Sequence, residues 1–472
     1  MFQFIIIFFL FSQTGTKTVP LPPTTKRTKN AKDGNGRNKH IVGYLERSPY
    51  VQNVTKTALS FLWETPTYEK CVIKLTSTSN QVEKTITSGP AKSHEVRFTV
   101  LSPQTKYKYR LESIQGVWTG QVETAPGNDA PFSFLVFGDN RNGHQAHRDV
   151  IKSMTVQPAS FFINTGDLTK DGAEKTNYIR FLRIEAPLMV RIPLYPVVGN
   201  HENAAVGSGL TNFRKYFALP RNGPDPEFTY SFTWGNSRFI FLDTNKPLVG
   251  SAQAKWFREQ LRSTAFDNKI RHIFVFVHQS PYTSGPHGPH QGLHEAGMVD
   301  DMRRFGVDMI FAAHDHIYER GRVDGLTYIV TGGGGAPTYF IRTHKPYSII
   351  AEATYHYCRL FIDGDTMEFS AHRTDGSLID FYSVKKTRGP QRPVFEVLSE
   401  RRKPVPAVHS KDMASSGGAG GSDKSQVPAI SPQDHPPEGD PRKRKSPFPY
   451  VFGTIGTLVL ISAFLYSRLR RR

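Results

Sequence analysis

The sequence predicts an α/β domain over residues 131–384, preceded by an all-β sandwich over residues 41–127. Three observations carry that reading. Up to Glu123, apolar and polar residues alternate in short runs separated by turns, the period-2 signature of strands with one buried face. Beyond Pro131, continuous apolar runs alternate with helix-period segments, as in a buried sheet covered by helices. Five of those apolar runs also end in Asp, Asn or His.

The chain opens on "MFQFIIIFFLF", apolar but too short to span a bilayer, so residues 1–16 are read as a signal peptide. Residues 17–40, rich in Lys, Pro, Thr, Asn and Gly, form a disordered lead-in. The sandwich, which resembles no helical pattern, is built from "ALSFLWE", "CVIKLTS", "HEVRFTV" and "KYKYRLESI". "APGNDAP" (Ala125–Pro131) links it to the α/β domain. There, "QAHRDVIKSMTV", "NYIRFLRIEAPLM", "AQAKWFREQL" and "GMVDDMRRFG" carry the helical period. Residues 385–447, with "SSGGAGGSDKS", read as a flexible stalk. Phe448–Tyr466 is uncharged and of spanning length, and a basic tail, 467–472, follows it. The expectation is a single-pass transmembrane anchor in the cell membrane with the body outside the cytoplasm, released if the stalk is cut.

The net charge of +19 sits in the flanks: residues 1–47 carry +6, residues 385–472 carry +10, and the middle only +3. This distribution argues against a nucleic-acid-binding domain. Two cysteines, Cys71 and Cys358, fall in different domains and make no disulfide framework. No signal for an oligomeric state is present.

The ends of the apolar runs carry the chemistry. "FSFLVFGDNR" ends with Asp139, "SFFINTGDL" with Asp167, and "LYPVVGNHE" with Asn200 and His201. "HIFVFVHQSP" ends with His278 and "MIFAAHDH" with His314 and His316, which face the same way in an extended chain. Open α/β sheets assemble their sites at the carboxyl ends of strands. Carboxylate, amide oxygen and neutral imidazole suit Zn, Mn or Fe, and the absence of cysteine argues against a structural zinc site. Six donors exceed the need of one tetrahedral ion and suit two ions that share a bridging carboxylate.

The ordered blocks "GDNR", "GDL", "GNHE", "VHQSP" and "AHDHIYER" resemble those of the calcineurin-like metallophosphoesterases, with "GNHE" and "HDHIYER" most similar to the purple acid phosphatase branch. The N-terminal segment is similar to the fibronectin type III-like domain that precedes the catalytic domain there. The resemblance covers residues 48–384 and implies a four-layer αββα sandwich. It further implies two metal ions (Fe, Mn or Zn) bridged by Asp167, the first held by Asp139 and His316, the second by Asn200, His278 and His314. His201 resembles the histidine that contacts phosphate and protonates the leaving group, or one that hydrogen-bonds the metal's ligands.

Two residues depart from the pattern. Arg141 stands where relatives place a histidine ligand, and guanidinium stays protonated and cannot bind a metal. Lys170 stands where purple enzymes have tyrosine, so a colourless enzyme is expected. Arg141 becomes either a bidentate phosphate clamp or a salt bridge behind the ligands. His287 and His290, in "YTSGPHGPHQG", are either solvent-exposed loop histidines or the rim of the pocket, with His287 a candidate substrate contact. "TGGGGAP" (Thr331–Pro337) lacks the Lys-Ser/Thr of a P-loop and reads as a tight turn beside the site, while Asp243 reads as structural.

The expected activity is phosphomonoester hydrolysis by a metal-bound hydroxide. The alternatives are a phosphodiesterase acting on nucleotides or phospholipid head groups, and a non-catalytic surface binding or adhesion protein.

Overall fold

Alternation in the N-terminal segment becomes two antiparallel sheets. One has the order β1 (Arg47–Gln52), β2 (Leu59–Glu69), β5 (Ala91–Phe98). The other runs β4 (Glu83–Thr87), β3 (Val72–Ser77), β6 (Lys106–Ser113), β7 (Gly116–Glu123). Along β3, every second residue is buried, as a strand with one solvent face requires. Phe61 packs against Tyr109 of the other sheet (ring centroids 4.8 Å) and against Phe98 of its own (6.2 Å), so that the first contact bridges the two sheets. Cys71 and Cys358 are both buried and free, in keeping with the absence of a disulfide framework.

The computed structural model describes residues 45–400 apart from 128, 204–208 and 389–392, together with two short strands, Asn30–Lys32 and Asn38–His40. Residues 132 onward form a mixed α/β fold of two seven-stranded sheets. In the first, β8 (Phe132–Phe137), β9 (Phe161–Asn164) and β10 (Leu194–Pro196) are parallel neighbours. In the second, β11 (Tyr230–Trp234) flanks the parallel set β12 (Ser237–Phe241), β13 (His272–Gln279) and β14 (Met309–Ala313). The second sheet continues through β16 (Leu326–Thr331), β15 (Tyr318–Val323) and β17 (Ser348–Glu352). The first continues from β8 into β18 (His356–Asp363), β19 (Thr366–Arg373), β20 (Leu378–Arg388) and β21 (Pro393–Glu400).

Strand periodicity decides which side chains face which layer. Phe134 meets Phe239 and Phe274 of the other sheet at 5.2 and 5.4 Å, whereas Phe137 turns toward His147 on helix α1 (His144–Thr155). In the second sheet, Phe239, Phe241, Phe274, Phe276 and Phe311 fill the layer between sheets. Their neighbours Ile240, Leu242, Val275, Val277 and Ile310 share a second core with Phe257 and Leu261 of helix α2 (Ala252–Phe266). Runs apolar on both faces are what a sheet buried on both sides needs. Between the sheets, Asp380 of β20 receives Arg320 Nε of β15 at 2.6 Å and the Tyr318 hydroxyl, a buried ionic tie.

The sandwich is joined to the α/β domain by polar contacts of buried tyrosines and glutamine. Tyr50 donates to the Tyr216 carbonyl (2.6 Å), Gln52 to Leu194 (3.1 Å), and Tyr195 back to Val54 (3.1 Å).

Two expectations need correction. Residues 385–400, assigned to the stalk, instead extend β20 to Arg388 and add β21 antiparallel to it. "PVFEVLSE" has strand propensity that the Pro/Arg-rich composition around it concealed. The lead-in 17–40, read as disordered, contains the paired strands Asn30–Lys32 and Asn38–His40, where backbone pairing compensates for poor hydrophobicity. Among the described residues no helix is long and apolar enough to cross a membrane; the expected signal peptide 1–16, the anchor Phe448–Tyr466 and the tail 467–472 lie outside the described residues.

Candidate metal centre

The loops at the carboxyl ends of β8, β9, β10, β13 and β14 meet at one place. Asp139 and Asp167 both adopt φ 54° and His314 φ 71°, the left-handed region that Asp, Asn and His enter more readily than other non-glycine residues. These turns cost about 1–3 kcal/mol each. The loops compensate by bonding to one another. Asp139 donates its N–H to the Gly166 carbonyl (3.0 Å), Arg141 to Asp167 (3.2 Å), and Ala336, in the glycine-rich turn, to Asp139 (2.7 Å). Asp139 Oδ2 in turn accepts the His314 N–H at 2.6 Å, linking the first sheet to the second. The run Thr331–Pro337 is thus a turn braced against the Asp139 loop.

Glycine is needed at one point of close approach. A Cβ on Gly199 would lie 2.2 Å from both the backbone nitrogen and Oδ1 of Asp167, so only glycine lets the Asn200 loop come this near.

The donors then converge. Asp139, Asp167 and His278 each offer a ligand atom within 4.8 Å of the others, all buried. His278 Nε2 lies 2.9 Å from Asn200 Oδ1 and 3.3 Å from Asp167 Oδ1. His278 spends its ring proton on the Thr165 carbonyl (Nδ1 to O, 2.9 Å), which leaves Nε2 as a lone pair. Three acceptor atoms therefore face one another with no proton between them, an arrangement that a cation satisfies, although Asp167 Oδ1 also accepts the His201 N–H from outside the trio at 3.0 Å. Asp139 Oδ1 is also buried without a hydrogen-bond partner. The residues fit at least one ion of the Zn, Mn or Fe type.

Charge follows burial. Asp139 sits well above the usual carboxylate range because it is buried, and because Asp167 lies beside it. Burial would raise Asp167 too, but His278 and His201 outweigh it and hold Asp167 low. Burial depresses His278, takes His314 to about 3 with His278 beside it, and takes His316 to about 4. Neutral imidazoles are the ligand form.

The remaining expected residues surround this cluster. Arg141 stretches across it: Nε lies 3.7 Å from Asp167 Oδ2, one terminal nitrogen donates to His316 Nε2 (3.2 Å) and the Tyr339 hydroxyl (3.4 Å), and the other to His201 Nε2. His316 is oriented by its Nδ1 proton on the Pro337 carbonyl (2.7 Å). His201 is similarly set by Nδ1 on the Lys170 carbonyl (2.7 Å), and the Lys170 residue is exposed. His287 is exposed but its ring lies 4.1 Å from that of His314, and Nδ1 meets Asp315 at 2.8 Å. His290 is partly buried on the neighbouring loop. Asp243 accepts both nitrogens of Asn245, whose amide supports the Val198 carbonyl, a structural role.

Sequence reasoning missed three contributors. Glu202 accepts the N–H groups of Asp167, Thr169 and Gly199 at 3.0, 3.0 and 2.9 Å. Its place in "GNHE" was the available signal. Asp315, between the two histidines, receives Thr283 and His287 rather than facing the donors. Tyr339 stacks on His316 at 4.0 Å, and no local pattern pointed to it.

Buried carboxylates and imidazole beside a partly buried amide, at strand ends of an α/β scaffold, make a site of the kind in which hydrolytic enzymes hold metal ions. The calcineurin-like phosphoesterase family model matches residues 132–318, so the chain carries a calcineurin-like metallophosphoesterase domain. It is 26% identical over 340 residues to acid phosphatase type 7 of Mus musculus, covering 61% of this chain and 75% of that protein. It is 25% identical over 311 residues to probable purple acid phosphatase 20 of Arabidopsis thaliana, covering 61% and 71%. The fold is similar to that of purple acid phosphatase PPD1 from yellow lupin, with TM-score 0.62 and 16% identity over 71% of this chain and 74% of that one. These relatives are named as acid or purple acid phosphatases, and the all-β region preceding the domain is consistent with a fibronectin type III-like sandwich.

Proposed function

We propose that this protein is an exported, membrane-anchored, metal-dependent phosphatase acting on phosphomonoesters. The observation that carries the catalytic part is the convergence of Asp167 Oδ1, Asn200 Oδ1 and His278 Nε2 without a shared proton. Acid phosphatases among the relatives support the monoester. The apolar opening and the uncharged stretch Phe448–Tyr466 support export and anchoring.

A bound Fe, Mn or Zn ion supplies Lewis-acid stabilisation of a phosphoryl oxygen and eases deprotonation of water. Asp167, Asn200, His278 and His314 would hold it, with Asp139 within reach of the same ion. Arg141 aims its N–H groups over the cluster, where it orients the phosphoryl oxygens and offsets their charge. His201 turns Nε2 toward the same space; released from the Arg141 N–H it accepts, and protonated, it delivers its proton to the departing alcohol. His287 forms the wall beside His314 and contacts the substrate. Water adds to phosphorus as the ester P–O bond breaks, giving phosphate and alcohol.

The test compares p-nitrophenyl phosphate with its bis-ester between pH 5 and 9, with Mn²⁺, Zn²⁺ or chelator, beside His278→Ala. Chelator-sensitive monoester turnover lost in the variant is expected. Preference for the bis-ester would replace phosphatase by phosphodiesterase. A folded protein inert with every metal would point to the binding or adhesion role.

A further inference from the structure

The donor atoms divide into two groups with different partners. On one side, Asp167 Oδ1, Asn200 Oδ1 and His278 Nε2 face one another with no cation among them. On the other, the lone pair of His316 Nε2 already receives an Arg141 N–H at 3.2 Å, and Asp167 Oδ2 lies 3.7 Å from Arg141 Nε. Tyr339 helps to hold the guanidinium there: its hydroxyl receives an N–H and its ring stacks on His316.

We infer that this protein holds a single metal ion, and that the Arg141 guanidinium occupies the charge position of a second. This inference rests on the proposed metal-dependent activity and concerns how many ions serve it. Guanidinium remains protonated at all working pH values, so it cannot step aside by losing charge. A divalent ion brought to His316 and Asp167 Oδ2 would have to displace that cation from buried acceptors or lie beside it in a poorly screened site. With His316 engaged, the donors left on that side are Asp139 Oδ1, 3.7 Å from His316 Nε2, and Asp167 Oδ2, which Arg141 Nε faces at 3.7 Å; two carboxylate oxygens are fewer than the roughly four donors such an ion takes. The Asp139 oxygen has another use. Asp139 offers a ligand atom within 4.8 Å of those of Asp167 and His278, so it can join the same single ion.

The arrangement also divides the chemistry. A single bound ion would supply the Lewis acid, while the guanidinium, with more N–H groups than His316, Tyr339 and His201 consume, keeps donors for phosphate. Inorganic phosphate should therefore bind at the arginine even where it does not bridge two metals.

Metal content of the full-length chain, read by elemental analysis after saturation with Mn²⁺ or Zn²⁺ and removal of excess, tests the count directly. The wild type should hold one ion per chain. Arg141→His, which supplies an imidazole and removes the fixed charge, should raise the count from one to two, with circular dichroism confirming its fold. Two ions in the wild type would overturn the inference while leaving metal-dependent phosphatase activity intact. No bound ion in the wild type would instead overturn the proposed function as well. An unchanged single ion in folded Arg141→His would show that the guanidinium is not what excludes the second. Should that variant fail to fold, the wild-type count decides, together with inorganic phosphate binding by Arg141→Lys. That variant keeps charge but loses the planar fork, and phosphate affinity should fall about tenfold or more with metal content unchanged.

Discussion

Glu202 Oε2 accepts the backbone N–H of Asp167 at 3.0 Å and that of Gly199 at 2.9 Å, so one buried carboxylate holds two of the metal-site loops in register. Burial, with Asp167 nearby, lifts its pKa to about 8. Replacing Glu202 by Ala leaves buried N–H donors of Asp167, Thr169 and Gly199 without partners, at about 1–3 kcal/mol each. Glu202→Ala should lower the melting temperature and weaken metal affinity about 10–100-fold. Isothermal titration with Zn²⁺ checks this, and wild-type affinity would remove Glu202 from the supporting role.

Asp167→Ala removes the carboxylate nearest His278 and Arg141 together. Turnover should fall by at least about 100-fold, with loss of bound metal in the same sample. Intact metal content and intact rate would remove Asp167 from the ligand set.

Gly199→Ala places a methyl group 2.2 Å from the Asp167 backbone, which cannot rotate away. A cost of about 1–3 kcal/mol and a weaker metal site should follow. Gly89→Ala is the control, since a Cβ there meets nothing within 4 Å. Equal melting temperatures for the two variants would contradict the crowding.

Asp380→Ala removes the buried carboxylate that accepts from both Arg320 and Tyr318 between the two sheets. Breaking a buried pair from one side costs about 3–5 kcal/mol, to be read from the urea midpoint of the α/β domain. A shift below about 1 kcal/mol would place the pair among the exposed kind.

His356 is buried and donates Nδ1 to the Thr354 carbonyl; burial lowers its pKa to about 4. In the unfolded chain the value is near 6.5. Above pH 6.5 neither state is protonated and the full stability is present. As pH falls, the unfolded chain takes up a proton that the folded one refuses, and stability is lost down to about pH 4. Between pH 7 and 5 the wild type should lose roughly 2 kcal/mol more than His356→Asn. Parallel pH curves for the two would show that His356 is not protected.

The strands and helices that build the site were legible because apolar periodicity records local burial, and local burial is written residue by residue. "FSFLVFGDNR", "SFFINTGDL" and "MIFAAHDH" announced both a strand and the donor at its end. Composition misled at residues 393–400, where a strand is embedded in a segment rich in Pro and Arg.

By itself, then, the sequence determined the all-β and α/β succession and the donor types that make a metal site chemically reasonable. Tertiary structure alone decided that Asp139, Asp167 and Asn200 from one sheet meet His278, His314 and His316 from the other, and that Arg141 crosses to His316. Strand order and the packing of two sheets are long-range properties, and no spacing along the chain encodes them. Nor does any local pattern say that Glu202 turns inward to hold backbone amides, or that Asp139, Asp167 and His314 take left-handed turns. Those turns are unfavourable locally and persist because the contacts of the assembled fold outweigh their cost.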